Sequence, residues 1–454
     1  MTMYSPTLAE GSGPLYKELA DAIERDIENG ALLPGTRMPT HRDLADTLEL
    51  NVSTVTRGYK EAEKRGLISA TVGRGTFVSS DATASTSLVS FEPSMPGMIE
   101  LGLVEPLHDL DPDISEGFRR IARRKDTSSF MRYSDPRGMP EHRSAGAAWT
   151  ARFGLEVEPE DIIVCAGSQH ALACTLSGLF RAGDRIATDA LTYPGFKTLA
   201  AMLGLRLVPI AMDEHGMIPE NLDAACRRND IKAVYLMPGV HNPTTTTIPE
   251  GRRTEIAKLA QWHDLLIIED DAYDLTDPGR IAPVGDRARE RSVYIAGMSK
   301  SIAAGLRVSF VAAPKHLLKP LAQAVLNTIW MTPPLNVELA AMWINDGTAD
   351  RVVREKRAAA ARRYMLACDV LDGFRFRGKR SGFYLWLDLP GQWTGQALEK
   401  AAHKHNVNVF GSEKFVVGET PASPAARISL TGPGSLDELE KGLGIIRKIL
   451  NQRP

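Results

Sequence analysis

The sequence predicts a small N-terminal unit of mixed helix and strand, followed by a large α/β unit built on a mostly parallel sheet. Two observations predict it. Over residues 14–78, three amphipathic helical stretches precede a glycine-tipped hairpin pattern. Beyond residue 98, short apolar runs alternate with helical stretches, the pattern of parallel strands joined by crossover helices. The 454 residues suffice for roughly two to four domains with ample buried core.

In the front unit, Leu15, Leu19, Ile23 and Ile27 recur every fourth position and give a helix ending near Asn29-Gly30. Leu33-Pro34-Gly35-Thr36 turns the chain. Thr40 three residues before Asp43 is a capping-box start for a second helix that buries Leu44 and Leu48. A third helix, from about Ser53 to Arg65, buries Val55, Tyr59 and Ala62 and is closed by Gly66. Leu67-Ile68 and Thr76-Phe77-Val78 flank the tip Val72-Gly73-Arg74-Gly75 of a β-hairpin. Three helices and a hairpin in this order make a winged helix-turn-helix. With its inward residues fixed, the third helix presents Ser53, Arg57, Lys60 and Lys64 outward and Thr54 and Thr56 on the flanks. Such a face suits a major groove, with Arg42 and Arg74 in reach of phosphate or the minor groove.

Charge alone does not carry that reading. The chain has 54 Lys and Arg against 56 Asp and Glu, net -2, which excludes coating nucleic acid through bulk charge. Residues 37–78 hold seven basic against five acidic side chains, a weak footprint that calls for specific contacts and a dimer.

In the large unit, residues just after each strand are the informative ones, because ligands of parallel sheets sit beyond the strands' carboxyl ends. Gly167-Ser168-Gln169 opens a helix and is either a plain cap or a phosphate cradle. Tyr193 in Thr192-Tyr193-Pro194-Gly195 offers an aromatic face, and Asn242 in His241-Asn242-Pro243-Thr244 an amide. Asp270 ends a strand within Glu269-Asp270-Asp271-Ala272-Tyr273; Ser299-Lys300 follows another, with Arg307 further on. A lysine for an aldehyde, a carboxylate for a protonated ring nitrogen, and hydroxyls with a guanidinium for a phosphate jointly fit pyridoxal 5′-phosphate.

Two resemblances sharpen this. The runs Pro14-Leu15-Tyr16, Leu33–Pro39, His41–Ala45, Ser53–Tyr59 and Gly73–Val78 resemble the DNA-binding domain of GntR-type bacterial regulators. That resemblance implies DNA contacts from Arg42, Ser53, Thr54, Thr56, Arg57 and Arg74; where the family often has Arg before the Ser-Thr-Val, this chain has Val52. The rear motifs, with Tyr133–Gly138, Arg143 and Ala426-Arg427-Ile428-Ser429-Leu430, resemble the aspartate-aminotransferase-like fold (fold type I) over about residues 98–454. This implies Lys300 as the Schiff-base lysine, Asp270 at the ring nitrogen, Asn242 and Tyr273 at the phenolic oxygen, and Tyr193 on the ring face. It also implies Ser168, Gln169, Ser299 and Arg307 at the phosphate, Tyr133 reaching the phosphate of a neighbouring subunit, and Arg427 gripping an effector's carboxylate. Gly297 stands where many relatives carry a phosphate-binding hydroxyl, and Thr245 where they carry a turn glycine.

The two halves in this order resemble the MocR subfamily of transcriptional regulators. The resemblance implies a winged helix-turn-helix over 10–79, a linker over 80–97, and a pyridoxal-phosphate-binding, aminotransferase-like domain over 98–454 with a smaller C-terminal α+β subdomain from about 345. It further implies a homodimer that binds operator DNA and senses an amino acid or amine by exchanging the Lys300 Schiff base for one with the effector. The alternative is a working aminotransferase with a DNA-binding appendage. A third reading gives the cofactor a purely stabilising part.

Several classes are excluded. Met1–Pro6 lacks the features of a secretory signal and no stretch of about 18 apolar residues exists, which gives a cytoplasmic expectation. Cys165, Cys174, Cys226 and Cys368 are scattered without a Cys-x-x-Cys pair and read as small buried hydrophobes, not as a disulfide framework. His403 and His405, two apart, fall on different helix faces, so no metal site is expected.

Overall fold

A computed structural model describes residues 4–8, 13–28, 31–32, 36–71, 75–78, 97–418 and 420–452. In the front unit, helices α1 (Leu15–Glu28), α2 (His41–Thr47) and α3 (Val52–Lys64) precede the antiparallel strands β1 (Ile68–Thr71) and β2 (Gly75–Val78). Local signals explain the ends. Thr40 Oγ1 accepts from the Asp43 amide at 3.3 Å, which starts α2. The Leu67 amide donates to Ala62 O at 2.9 Å past Gly66, whose φ of +73° suits the helix stop.

The front core gathers Leu19, Ile23 and Ile27 of α1, Leu44 of α2, Val55, Tyr59 and Ala62 of α3, and Ile68 and Val78 of the hairpin. Leu15, expected on that face, is exposed because the buried stripe begins one turn later. Helices α1 and α3 approach closely at Gly58, where a Cβ would lie 2.7 Å from Leu19 Cδ2. Arg65 bridges the same pair, bonding Asp21 at 2.5 Å, Glu24 at 2.9 Å and Glu61 at 3.2 Å. Its charge therefore serves the helix pair. All of the expected linker but its last residue, Gly97, lies outside the described residues, as do Leu33–Gly35 and Arg74.

In the rear unit, β3 (Ile99–Glu100) is followed by β4 (Ile162–Cys165), β5 (Arg185–Asp189), β6 (Arg206–Ile210), a two-residue-strand hairpin of β7 (Met212–Asp213) and β8 (Gly216–Met217), β9 (Ile231–Leu236), β10 (Leu266–Asp271), β11 (Ser292–Gly297) and β12 (Ser309–Ala312). Seven of these form one sheet in the order β4-β12-β11-β10-β9-β5-β6. Every pair is parallel except those made by β12. The strands are almost wholly buried, as sheets covered by helices on both faces require. The exception is β6, half-exposed at the sheet's edge, where Pro209 costs no central ladder bond.

A second sheet joins β13 (Phe376–Gly378), β14 (Tyr384–Asp388), β17 (Ala425–Ser429) and β16 (Phe410–Gly411), while β15 (Val407–Asn408) pairs with β3. Leu385, Leu387 and Ile428 of this sheet pack against Leu439, Leu443 and Ile446 of the last helix, with Ile99 and Leu101 from the start of the rear unit. No helix among the described residues is long and apolar enough to cross a membrane.

Candidate functional site

The carboxyl ends of the parallel strands open into a cavity of about 330 Å³. It is lined by Ser168, Gln169, Tyr193, Asn242, Asp270, Tyr273, Ser299, Lys300, Arg307 and Arg427, together with Val104, Met237, Gly297 and Phe410. Every rear residue assigned to the cofactor or effector from sequence therefore lines one cavity, except Tyr133. That side chain is 81% exposed, beside Trp330 with ring centroids 5.3 Å apart.

Asp270, the penultimate residue of β10, lines the cavity and is 5% exposed. Its Oδ2 accepts from Tyr235 Oη at 2.9 Å, while Oδ1 is buried with no partner. Burial pushes this carboxyl up to about 6, against the pull of the Tyr235 bond. A buried acceptor without a donor is costly by itself, on the order of 1–3 kcal/mol, so a cationic N–H is the natural complement.

Lys300 follows β11 and donates to Val104 O. Desolvation, then the neighbouring Arg427 charge, bring its amine down to about 8, with Glu105 opposing. The neutral, nucleophilic amine is therefore easier to reach than that of a solvent-exposed lysine.

At the other end, Ser168 and Gln169 begin the helix Ser168–Leu179. Gly167 precedes them with φ of +84°, and a Cβ there would lie 2.4 Å from Arg307 Nη2. Glycine is required on both counts. Arg307 itself has φ of +50° and donates to Ser299 Oγ at 3.2 Å. Gly297 gives up a hydroxyl, but Ser168 Oγ stands 2.4 Å from where its Cβ would be. The space of the lost hydroxyl is thus taken by another. Tyr193 Oη donates to Gln169 Oε1 at 3.3 Å, and Gln169 Nε2 to Gly195 O at 3.0 Å, which fixes the ring at the cavity wall.

Arg427 lies on β17, buried under the rings of Phe415, Phe410 and Tyr384 at 4.9, 5.6 and 5.7 Å. Its Nη1 donates to Asn242 Oδ1 at 2.7 Å and Nη2 to Gly102 O at 2.6 Å; Nε is buried without a partner. Burial lowers its pKa. Phe410, Val104 and Met237 escaped the sequence reading, since an apolar cavity wall carries no motif.

On the front unit, Val55, Tyr59 and Ala62 are buried, while Ser53, Arg57, Lys60 and Lys64 are exposed and Thr54 and Thr56 half-buried. The guanidinium of Arg57 sits 4.2 Å over the Tyr16 ring. Arg42 and Val52 are exposed as well.

Comparison with known proteins accords with both units. The family "Bacterial regulatory proteins, gntR family" matches residues 15–78, and "Aminotransferase class I and II" matches residues 96–446. The chain is 36% identical to the HTH-type transcriptional regulator YdeF of Bacillus subtilis, covering 99% of this chain and 97% of that one. It is 27% identical to a 2-aminoadipate transaminase of Thermus thermophilus, covering 69% and 80%. Among solved structures it is similar to the α-aminoadipate aminotransferase LysN of Thermus thermophilus, with a TM-score of 0.70 at 24% identity over 79% of this chain and 93% of that one. A multiple-substrate aminotransferase of Thermococcus profundus gives 0.71 at 21% identity, over 79% and 92%. A regulator's helix-turn-helix and an aminotransferase fold thus share one polypeptide, and the chain belongs to the GntR-type transcriptional regulators of the MocR kind, in which that head is fused to an aminotransferase class I and II domain.

Proposed function

We propose that this protein is a cytoplasmic, DNA-binding regulator that holds pyridoxal 5′-phosphate in the rear cavity and responds there to an amine or amino acid. The observation that carries the reading is one cavity holding both the unpartnered Asp270 Oδ1 and the low-pKa amine of Lys300. When bound, the cofactor supplies an aldehyde that condenses with primary amines and a protonated ring that draws off electron density.

The residues fit that group. Asp270 would hold the ring N–H, which supplies the donor its Oδ1 lacks and favours its ionised form. Ser168, Gln169, Ser299 and Arg307 would hold the phosphate at a helix N-terminus, where glycine at 167 and 297 leaves room. Tyr193 would lie on the ring face, Asn242 and Tyr273 at the phenolic oxygen, and Lys300 at the aldehyde.

Arg427 would take an effector's carboxylate in a bidentate grip. Its Nε–H has no partner, and a carboxylate drawn to this guanidinium would compete with Asn242 for it. Arg427 belongs to the C-terminal sheet and Asn242 to the segment after β9, so an effector that breaks their bond changes a contact between the two sheets. A ligand that favours one arrangement biases the protein toward it. Two heads set by a homodimer would turn that bias into a change in operator binding through Arg42, Ser53, Thr54, Thr56, Arg57 and Arg74. The dimer face is supported by Tyr133, Met131 and Trp330, neighbouring large side chains 81%, 87% and 53% exposed.

The low pKa of Lys300 also supports a second reading, a working aminotransferase, because the amine is poised to move protons. Two measurements separate the readings. Operator affinity of the cofactor-loaded protein is titrated with candidate amines and amino acids, and turnover is followed with an amino acid and a keto acid. An affinity shift without sustained turnover is the expected result. Sustained turnover at ordinary enzyme rates with DNA affinity unmoved by every amine would overturn it.

A further inference from the structure

Cys165 closes β4, and Cys174 lies on the helix Ser168–Leu179 that begins three residues later. Both thiols are buried. With His170 on the same helix, their reactive atoms fall within 4.8 Å of one another. Hydrogen bonding fixes the imidazole's tautomer. The Ala166 amide donates to His170 Nδ1 at 3.0 Å, so Nδ1 carries the lone pair and Nε2 the proton. Nε2 lies 3.2 Å from Cys174 Sγ and 2.8 Å from the hydroxyl of Thr328, an exposed residue at the end of the helix Lys315–Ile329.

The Nε2 proton lies between two acceptors, Thr328 Oγ1, whose own hydroxyl donates to Ala324 O at 2.8 Å, and Cys174 Sγ; its share in the sulfur contact favours the thiolate. Ligation of a metal through Nε2 would need the opposite tautomer, with Nδ1 as the donor; the Ala166 N–H opposes that arrangement. The cluster is therefore built for thiol chemistry.

We propose that Cys174 and Cys165 form a peroxide-reactive thiol pair, Cys174 attacking and Cys165 resolving, which closes a disulfide at the root of the Ser168 helix. The Cys174 thiol is held below its ordinary value, first by hydrogen bonding with Cys165 and then by His170, while Cys165 is pushed up. Cys226 offers a contrast: burial, then the charge of Asp223, push it up to about 11.

The Cys174 thiolate attacks one peroxide oxygen; the S–O bond forms and the O–O bond breaks. Sulfur is oxidised by two electrons, and the departing hydroxide takes up the proton the thiol had released, giving water. Cys165 sulfur then attacks Cys174 sulfur. The S–S bond forms, the S–OH bond breaks, and the leaving hydroxide takes the Cys165 proton. Two thiols and one peroxide become one disulfide and two waters.

A disulfide bond of about 2 Å draws the second turn of this helix onto β4. Only Ala166 and Gly167 separate β4 from Ser168, and Gly167 already packs on Arg307. The movement is felt at the phosphate cradle. This consequence rests on the cofactor reading; the cross-link does not.

The test treats the full-length protein with stoichiometric hydrogen peroxide and counts free thiols under denaturing conditions, with peptide mapping. Four thiols should fall to two, with a Cys165–Cys174 cross-link. Cys174 and Cys165 should be lost before Cys226 and Cys368, although the latter two are the more exposed. In Cys165→Ser, Cys174 should instead be trapped as a sulfenic acid by dimedone. Four surviving thiols, a cross-link through Cys226 or Cys368, or protection that disappears on chelating a bound metal would each overturn the pair, and none of these needs a variant to fold. Cofactor retention after oxidation, expected to fall, is read separately. A cross-linked protein that never bound cofactor would refute the cofactor reading and leave the thiol pair standing.

Discussion

Arg427 Nη1 donates to Asn242 Oδ1 at 2.7 Å, so the guanidinium at the cavity's edge is already engaged by an amide of the same cavity. The bond joins the C-terminal sheet to the large one. On the proposed reading, a carboxylate-bearing effector would compete with this bond.

Arg427→Lys keeps the charge but loses the planar fork. Hydrogen bonds to charged groups contribute about 1.5–3 kcal/mol each. Affinity for carboxylate-bearing effectors should fall about 10- to 100-fold, read from the cofactor's absorbance on titration, while amines lacking a carboxylate change little. Equal losses for both classes would show that Arg427 does not read the carboxylate.

On the proposed reading, the pH dependence of cofactor capture would follow the Lys300 amine. Its pKa is lowered from 10.5 to about 8, so the neutral amine appears as pH rises through 8 rather than through 10.5. The rate at which the apo protein takes up pyridoxal phosphate, followed by absorbance, should rise with pH to a midpoint near 8. A midpoint near the ordinary lysine value would contradict the desolvated setting of Lys300.

Thr245 occupies the turn position where a glycine is expected, and it keeps a φ of +61°. The turn survives the substitution because the Thr245 amide donates to His241 O at 2.7 Å and Thr244 Oγ1 to Thr246 Oγ1 at 2.9 Å. A β-branched residue in this region is strained by about 1–2 kcal/mol. Thr245→Gly should therefore stabilise the rear unit by about 1 kcal/mol, seen as a higher thermal midpoint. An unchanged or lowered midpoint would mean that the neighbouring threonines depend on it.

On the front unit, Arg57→Ala should weaken operator binding about tenfold and leave cofactor absorbance unaltered. The guanidinium is exposed and lies over the Tyr16 ring on the front unit, so its loss leaves the rear cavity untouched. Wild-type affinity in that variant would mean that another face of α3 enters the groove.

Much of this was legible in the sequence because strand ends and helix caps carry residue types that little else demands. The positions Ser168, Tyr193, Asn242, Asp270 and Lys300 lie far apart in the chain, yet each sits at or just past the end of a strand, and parallel topology gathers those ends on one side of the sheet. The third helix was readable for a similar reason, since Val55, Tyr59 and Ala62 can share only one face.

The features that escaped depend on distance or on company. Edge strand β6, with its Pro209 and half-exposed residues, lacks the apolar run that marked its neighbours. Phe410 joins the cavity from the second sheet, and nothing in its local sequence announces that. Cys165 and Cys174 looked scattered along the chain; only the packing of a helix on its preceding strand brings them to His170. Tyr133 lies outside the cavity, exposed beside Trp330, and nothing in its local sequence marks that difference from the other motif residues.

The central claim, a lysine–aldehyde linkage inside a DNA-binding regulator, is tested most directly by borohydride. The full-length protein is incubated with pyridoxal phosphate, reduced, digested and mapped by mass. One phosphopyridoxyl-modified residue, Lys300, is expected, and no modification in Lys300→Ala. An unmodified protein, or a label on another lysine, would contradict it.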